Sequence, residues 1–225
     1  MTVAGSPAEP ATVTSVAPAT DPGGRPDRTL PNSAQIWVIR HGETQWSRSG
    51  QHTGRTDLPL TPLGEEQAKA VRAITGPLEP ALVLCSPRQR ARRTAELAGF
   101  RVDAIDEDLA EWDYGDYEGL TTAQIQQQVP GWSVWTDPCP HGETATQLQA
   151  RADRVLARAR DYLTQGPVVL VAHGHISRVL GTRWIGQPIT LGANLALDTA
   201  APSMLGVQHH LPVLSHWNIP NPVAG

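Results

Sequence analysis

A chain of 225 residues, 40% of them hydrophobic, is long enough for one large domain with a sizeable core. Its 18 basic residues against 22 acidic ones exclude a polyelectrolyte built for nucleic acid or a membrane surface, while leaving room for local basic clusters that bind small anions. Cys85, in an apolar run, and Cys139, between prolines, have neither metal-ligand nor Cys-x-x-Cys spacing, so no disulfide framework or zinc site is indicated and a reducing cytoplasm is the expected home.

Residues 1–34 are rich in Pro, Ala, Thr, Ser and Gly without hydrophobic periodicity, which reads as a disordered tail. The tail lacks the basic start and apolar core of a signal peptide, and no later stretch reaches the roughly 18 apolar residues of a membrane span. The folded domain is expected over residues 35–225.

Ile36 to Ile39 form an unbroken apolar run, the pattern of a strand buried on both faces. The run breaks at Arg40-His41-Gly42. An imidazole beside a guanidinium is costly in a core, but it suits the carboxyl end of a sheet strand, where open α/β sheets bind ligands and glycine permits a tight turn. His41 is therefore the expected working residue. Gln45 to Asp57 is polar and reads as a loop over the site, with Thr53-Gly54 offering a hydroxyl and close backbone approach. Thr61-Pro62 predicts a helix N-cap followed by proline, with Glu65 and Glu66 complementing the dipole and Gly76-Pro77 closing the helix after about Ile74. Ala81 to Cys85 is the next buried strand.

Ser86-Pro87 repeats the cap-and-proline pattern and leads into Arg88 to Arg93, the most basic stretch of the chain. Arg88, Arg92 and Arg93 read as a solvated helix face. Arg90 lies one turn past a strand end, where it reaches the crevice beside Arg40. A short strand is expected over Val102 to Ile105. Leu109 to Gly119 is then dense in carboxylates, aromatics and glycines, and a carboxyl packed against Trp112 or Tyr114 can have its pKa raised toward the range useful for proton transfer. On this reading Glu111, Asp113, Asp116 and Glu118 all remain open as the acid.

Thr121 to Val129 predicts a short helix, and Trp132 and Trp135 either cap a pocket or pack in the core. Leu148, Ala152, Val155, Leu156, Ala159, Tyr162 and Leu163 have the spacing of an amphipathic helix within 143–165. Pro167 to Ala172 is a second buried-strand run that also breaks at a His-Gly pair, His173-Gly174. If the two such strands are parallel neighbours, both imidazoles project into one crevice. His175 to Ile185 predicts the following helix, and Met204 to His209 and Val213 to Trp217 predict two late strands whose histidines are not site candidates. His-Gly-Glu-Thr recurs at His141 to Thr144, but behind Asp137-Pro138-Cys139-Pro140, which makes it a loop at a helix entrance and not a second nucleophile.

Two histidines, two arginines and a carboxylate loop near strand ends describe an anion pocket with a nucleophile and a proton donor. Phosphoryl transfer to His41 needs a neutral ring nitrogen in line with phosphorus and cationic donors around the equatorial oxygens, which Arg40, Arg90 and a protonated His173 could supply. A carboxylic acid would protonate the departing alkoxide and, as a carboxylate, activate water against the phosphohistidine. The scheme requires no metal or other cofactor.

Arg40-His41-Gly42-Glu43-Thr44, the segment Ser86 to Thr94, Leu109-Ala110-Glu111 with Gly115 and Glu118-Gly119, and Ala172-His173-Gly174 resemble, in this order, the signatures of the histidine phosphatase superfamily, the phosphoglycerate mutase-like proteins. The resemblance implies a three-layer α/β/α sandwich on a mainly parallel sheet. It implies His41 as the phosphorylated nucleophile, Arg40, Arg90 and His173 as a phosphate clamp, and Glu111 as the proton donor. It further implies that Thr44, Ser47, Thr53, Gly54 and Gly174 line the pocket and that Tyr114 contacts substrate.

Ser47 stands where the cofactor-dependent mutases carry Asn, and residues 121–140 contain no arginine to hold a phosphoglycerate carboxylate, which favours hydrolysis over mutase action. Ser49 to Leu60 and Glu111 to Gly119 are similar to the sedoheptulose-1,7-bisphosphatase-like branch and to actinobacterial acid phosphatases. The implied activity is metal-independent hydrolysis of small phosphorylated metabolites, sugar phosphates first, with no nucleic-acid or membrane partner and with a homo-oligomer left open. The alternatives are a phosphoglycerate mutase and a catalytically silent phospholigand-binding module; the presence of all five of His41, Glu111, Arg40, Arg90 and His173 disfavours the latter.

Overall fold

The two apolar runs that break at a His-Gly pair are adjacent strands in the computed structural model, which describes residues 30–223. β1 (Gln35–Arg40) pairs in parallel with β4 (Val168–Ala172), with Arg40 opposite Ala172. Parallel to β4 on its other side lies β2 (Leu82–Cys85), and beyond it the two-residue β3 (Ala104–Ile105). β5 (Pro202–Gln208) and β6 (Leu211–His216) add an antiparallel hairpin beside β1, giving the order β3-β2-β4-β1-β5-β6. The hairpin turns at His209 and His210, both at positive φ, as a two-residue turn that matches strand twist requires.

Among the described residues the helices are α1 (Gln45–Ser49), α2 (Pro62–Thr75), α3 (Gln89–Leu97), α4 (Thr122–Gln128), α5 (Ala145–Arg160) and α6 (Gly174–Trp184). Successive strand residues face opposite sides of the sheet. Val38, Leu84, Val168 and Leu170 join one core with Leu148 and Val155 of α5 and Ile176 and Leu180 of α6. Ile39, Val83, Val169 and Val171 join the other with Val71 of α2 and Ala91 and Ala95 of α3. Helices thus cover both faces of a mainly parallel sheet, the expected three-layer α/β/α arrangement. Every residue of β2 and β4 is buried, which is why neither run alternates.

Several local expectations change. Ser86-Pro87 does not open α3; Arg88 is its N-cap and makes no side-chain cap bond, and the Ser86 hydroxyl meets His173 Nε2 at 2.7 Å while accepting the Arg88 N–H at 3.4 Å. β3 excludes Val102, which packs on the second core, and the Asp103 carboxylate accepts the Val83 N–H at 2.9 Å just before the ladder begins. α5 stops at Arg160, where the bonds tighten to the three-residue pattern of Tyr162 N to Ala159 O and Leu163 N to Arg160 O. Trp132 and Trp135 are both core residues. Of the expected disordered tail, residues 1–29 lie outside the described residues; Ala34 is buried and Leu30 packs on the first core. Cys85 and Cys139 are free and buried, and no described helix is long and apolar enough to cross a membrane.

The turn after β1 is held by close backbone contact with α2. A Cβ on Gly42 would overlap the Gly64 carbonyl, and one on Gly64 would overlap the backbone of Glu43. Since backbone cannot swing aside as a side chain does, Gly64→Ala is expected to cost about 1–3 kcal/mol. A lowered urea midpoint at unchanged slope would report that cost. An unchanged midpoint would show that the contact is dispensable.

Candidate active site

The β1 ladder continues into the turn, with His41 N bonded to Ala172 O at 3.0 Å, so the His41 backbone is fixed by the sheet. The ring is 5% exposed, and its Nδ1–H donates to the Gly42 carbonyl at 2.7 Å. That bond leaves Nε2 with the ring's free lone pair. Burial, reinforced by the Arg90 and Arg40 charges, holds the imidazole well below its ordinary pKa. His41 is therefore a neutral base with one nucleophilic nitrogen.

His173 is the N-cap of α6, and its ring stands edge to face with that of His41 at 5.1 Å between centroids. The Arg90 Nε–H donates to His173 Nδ1 at 3.1 Å. A guanidinium only donates, so the ring must accept there, and Nε2–H donates to Ser86 Oγ at 2.7 Å. Both contacts describe a neutral ring, and burial together with Arg90 pushes its pKa well below the usual value. The expected protonated His173 is therefore corrected to a neutral one that orients Arg90. Ser86 follows β2 as His41 follows β1, but a serine before proline reads as a cap in sequence.

Arg90 is fully buried; besides His173 it bonds the carbonyls of Thr56 at 2.8 Å and of Thr53 at 3.0 Å. It thereby ties the 53–56 loop down over the site. Arg40 donates through Nη1 to Leu197 O, while its Nε is buried without a partner among the described residues. A Cβ on Gly174 would lie 3.6 Å from both Arg40 Nε and Glu111 Oε2, so the start of α6, Arg40 and Glu111 meet at one point. Burial lowers the pKa of both arginines, and the Glu111 charge opposes it.

The four acids of the 109–119 segment separate by partner. Glu111 Oε1 accepts the N–H groups of Trp112 at 2.9 Å and Ile176 at 3.0 Å, and Oε2 accepts that of His175 at 2.9 Å. Its carboxyl group is thus seated on the amino end of α6, next to Arg40. Glu118 receives the amides of Gly54 and Thr56, Asp113 pairs with Arg55, and Asp116 pairs with the exposed His141. Only Glu111 reaches the histidine and arginine cluster.

The remaining expected pocket residues divide. Thr44 and Ser47 bond each other's backbone N–H as the capping box of α1, so their hydroxyls serve that helix. Thr53 and Gly54 lie in the loop tied to Arg90, and a Cβ on Gly54 would crowd the Trp112 carbonyl at 2.5 Å. Tyr114 is 1% exposed, and its hydroxyl shares a 2.7 Å hydrogen bond with His175 Nδ1. Burial raises the Tyr114 pKa and lowers that of His175, so both are neutral.

Sequence reading missed His175 and Arg178. Arg178 lies one helical turn beyond Gly174, on the α6 face that meets Arg40 and Glu111. Its Nε is buried without a partner among the described residues, and burial lowers its pKa against the opposing pull of the nearby Glu111 charge. A helical i, i+4 count from the His-Gly pair could have found it.

Comparison with known proteins shows the family of the chain. The pattern of the Histidine phosphatase superfamily (branch 1) matches residues 36–220. A Mycobacterium tuberculosis protein named acid phosphatase is 44% identical over 195 residues, 84% of this chain and 96% of the relative. The Saccharomyces cerevisiae sedoheptulose 1,7-bisphosphatase is 37% identical over 182 residues, 66% of each chain. A solved structure of a Mycobacterium tuberculosis open reading frame superposes with a TM-score of 0.81 at 42% identity, covering 84% of this chain and 98% of that one. The chain belongs to branch 1 of the histidine phosphatase superfamily.

Proposed function

We propose that this protein is a cytoplasmic, metal-independent phosphomonoesterase that hydrolyses small phosphorylated metabolites, sugar phosphates first, through a phosphohistidine on His41 with Glu111 as proton donor. The observation that carries the reading is the buried, neutral His41 ring, whose Nδ1–H is tied to Gly42 O beside Arg40 and Arg90. Its Nε2 attacks phosphorus in line; the P–O ester bond breaks, and protonated Glu111 gives its proton to the departing alkoxide. The carboxylate then takes a proton from water as that water attacks phosphorus, and the P–N bond breaks to release phosphate. Arg40, with donors left free, takes up charge on the equatorial oxygens.

The names of the acid phosphatase and sedoheptulose bisphosphatase relatives support the substrate class. Arg178 adds a cation whose buried Nε has no partner among the described residues, next to Glu111 and Arg40, which favours a substrate with a second anionic group, such as a sugar bisphosphate. The same cation favours phosphoglycerate mutase action as the second reading, because the missing-arginine argument covers only residues 121–140. Interconversion of 3- and 2-phosphoglycerate without phosphate release would select it.

His41→Ala is expected to abolish p-nitrophenyl phosphate hydrolysis while leaving the thermal midpoint intact; retained turnover would exclude His41 as nucleophile. Neutral imidazole is the active form, and its pKa lies below the ordinary value, so activity persists as pH falls through about 6.5. The acid limb of kcat/KM belongs below that pH, and an inflection at or above it would contradict the assignment. Arg178→Gln is expected to raise KM for fructose 1,6-bisphosphate roughly ten- to a hundredfold, the worth of one charged hydrogen bond, with p-nitrophenyl phosphate little affected. Equal effects on both would place Arg178 outside substrate recognition.

A further inference from the structure

The recurring His-Gly-Glu-Thr at 141–144 has no part in the chemistry above, yet two of its residues are packed against the donor loop. A Cβ on Gly142 would crowd the Asp113 carbonyl and lie 2.8 Å from Gly115 N, so backbone meets backbone there. Glu143 N–H donates to Asp113 O at 2.9 Å, and Glu143 O accepts the Trp112 indole N–H at 2.9 Å. Thr144 then caps α5. The Glu143 carboxylate turns inward and receives Arg151 Nε at 2.7 Å and Nη2 at 2.8 Å, a bidentate pair with both side chains largely buried.

Arg151 has five N–H donors, and all of them are used. Beyond the two on Glu143, Nη1 donates to Asp108 O at 2.7 Å and to Ala110 O, and Nη2 donates to Glu111 O at 3.1 Å. Residues 108–113 form no strand, and only Asp108 and Leu109 belong to a short 3-10 turn, so these carbonyls have no sheet ladder to satisfy them. The loop is gripped from α5 through its carbonyls and from α6 through the Glu111 carboxyl group.

We infer that Arg151, aligned by Glu143, is a positioning residue for the proton donor: it fixes the backbone of Glu111 so that its carboxyl group stays between the amino end of α6 and the departing oxygen. The inference rests on the reading of Glu111 as proton donor. Lysine at 151 would keep the charge opposite Glu143 but offers three donors for five acceptor contacts, and glutamine at 143 keeps shape while losing the charge that orients the guanidinium. Either change frees the donor loop without touching His41 or its arginines.

The test compares kcat/KM for an alkyl ester, fructose 1,6-bisphosphate, with that for an aryl ester, p-nitrophenyl phosphate, whose leaving group needs little protonation. This parameter reports phosphorylation of His41 and excludes the later water step. Glu111→Gln sets the reference, with a loss at least tenfold greater on the alkyl ester. Arg151→Lys and Glu143→Gln are expected to show the same bias in weaker form, Arg151→Gln a stronger one, and none should add to the loss in the Glu111→Gln background. Thermal unfolding confirms that each variant folds; Glu143→Gln, the mildest, carries the test if the Arg151 variants do not. Equal losses on the two esters, or additive losses with Glu111→Gln, would overturn the inference and leave an ordinary buried ion pair. Failure of Glu111→Gln itself to separate the esters would instead bring down the donor reading, and the inference with it.

Discussion

Everything at the site depends on the in-register parallel pairing of β1 with β4. Arg40 faces Ala172, so the next residue of each strand is a histidine, and both leave the sheet at the same level. β2 sits against the other side of β4 with Cys85 opposite Val171, which delivers Ser86 to the same edge. A parallel sheet whose strands are buried on both faces cannot slip without moving apolar side chains into the wrong layer. His41, Ser86 and His173, from distant parts of the chain, therefore share one frame.

Inside that frame, burial and nearby cations act in one direction on the imidazoles. Each ring is costly to charge out of water, and the surrounding arginines raise that cost further. The result is a cluster of neutral rings among cationic groups. For the proposed function this is the useful state, because the positive charge is held by guanidinium groups while His41 keeps its lone pair. Arg90 illustrates how the two needs are met together. Its side chain is satisfied by His173 and by loop carbonyls, which lowers the cost of burying it and closes the 53–56 loop over the crevice.

The donor loop obeys a different logic. It has little regular secondary structure, so its geometry comes from side chains that reach it: Arg151 from α5, Glu143 from the preceding loop and the amides of α6. Two glycines, Gly115 and Gly142, allow the backbone of residues 113–116 and 139–143 to touch. The contact makes sense of two sequence features, a glycine-rich acidic segment and a repeated tetrapeptide, that have no common meaning until they are side by side.

Much of this protein was legible from residue order alone. Unbroken apolar runs ending at His-Gly identified two central strands and where they end, because continuous apolarity and an abrupt polar break are local properties. Thr61-Pro62 and Gly76 likewise marked the ends of α2 through backbone capping. Motif order carried the resemblance that singled out Glu111 among four neighbouring acids; the residues themselves did not separate them. Tertiary structure decided what each polar group is bonded to. It made Ser86 a partner of His173, gave His173 a neutral ring, used Thr44 and Ser47 to cap α1, and brought Arg151 to the Glu111 carbonyl and Arg178 near its charge. These outcomes depend on hydrogen bonds between residues far apart in sequence, and a donor's choice among distant acceptors is set only when the sheet and helices bring them within about 3 Å.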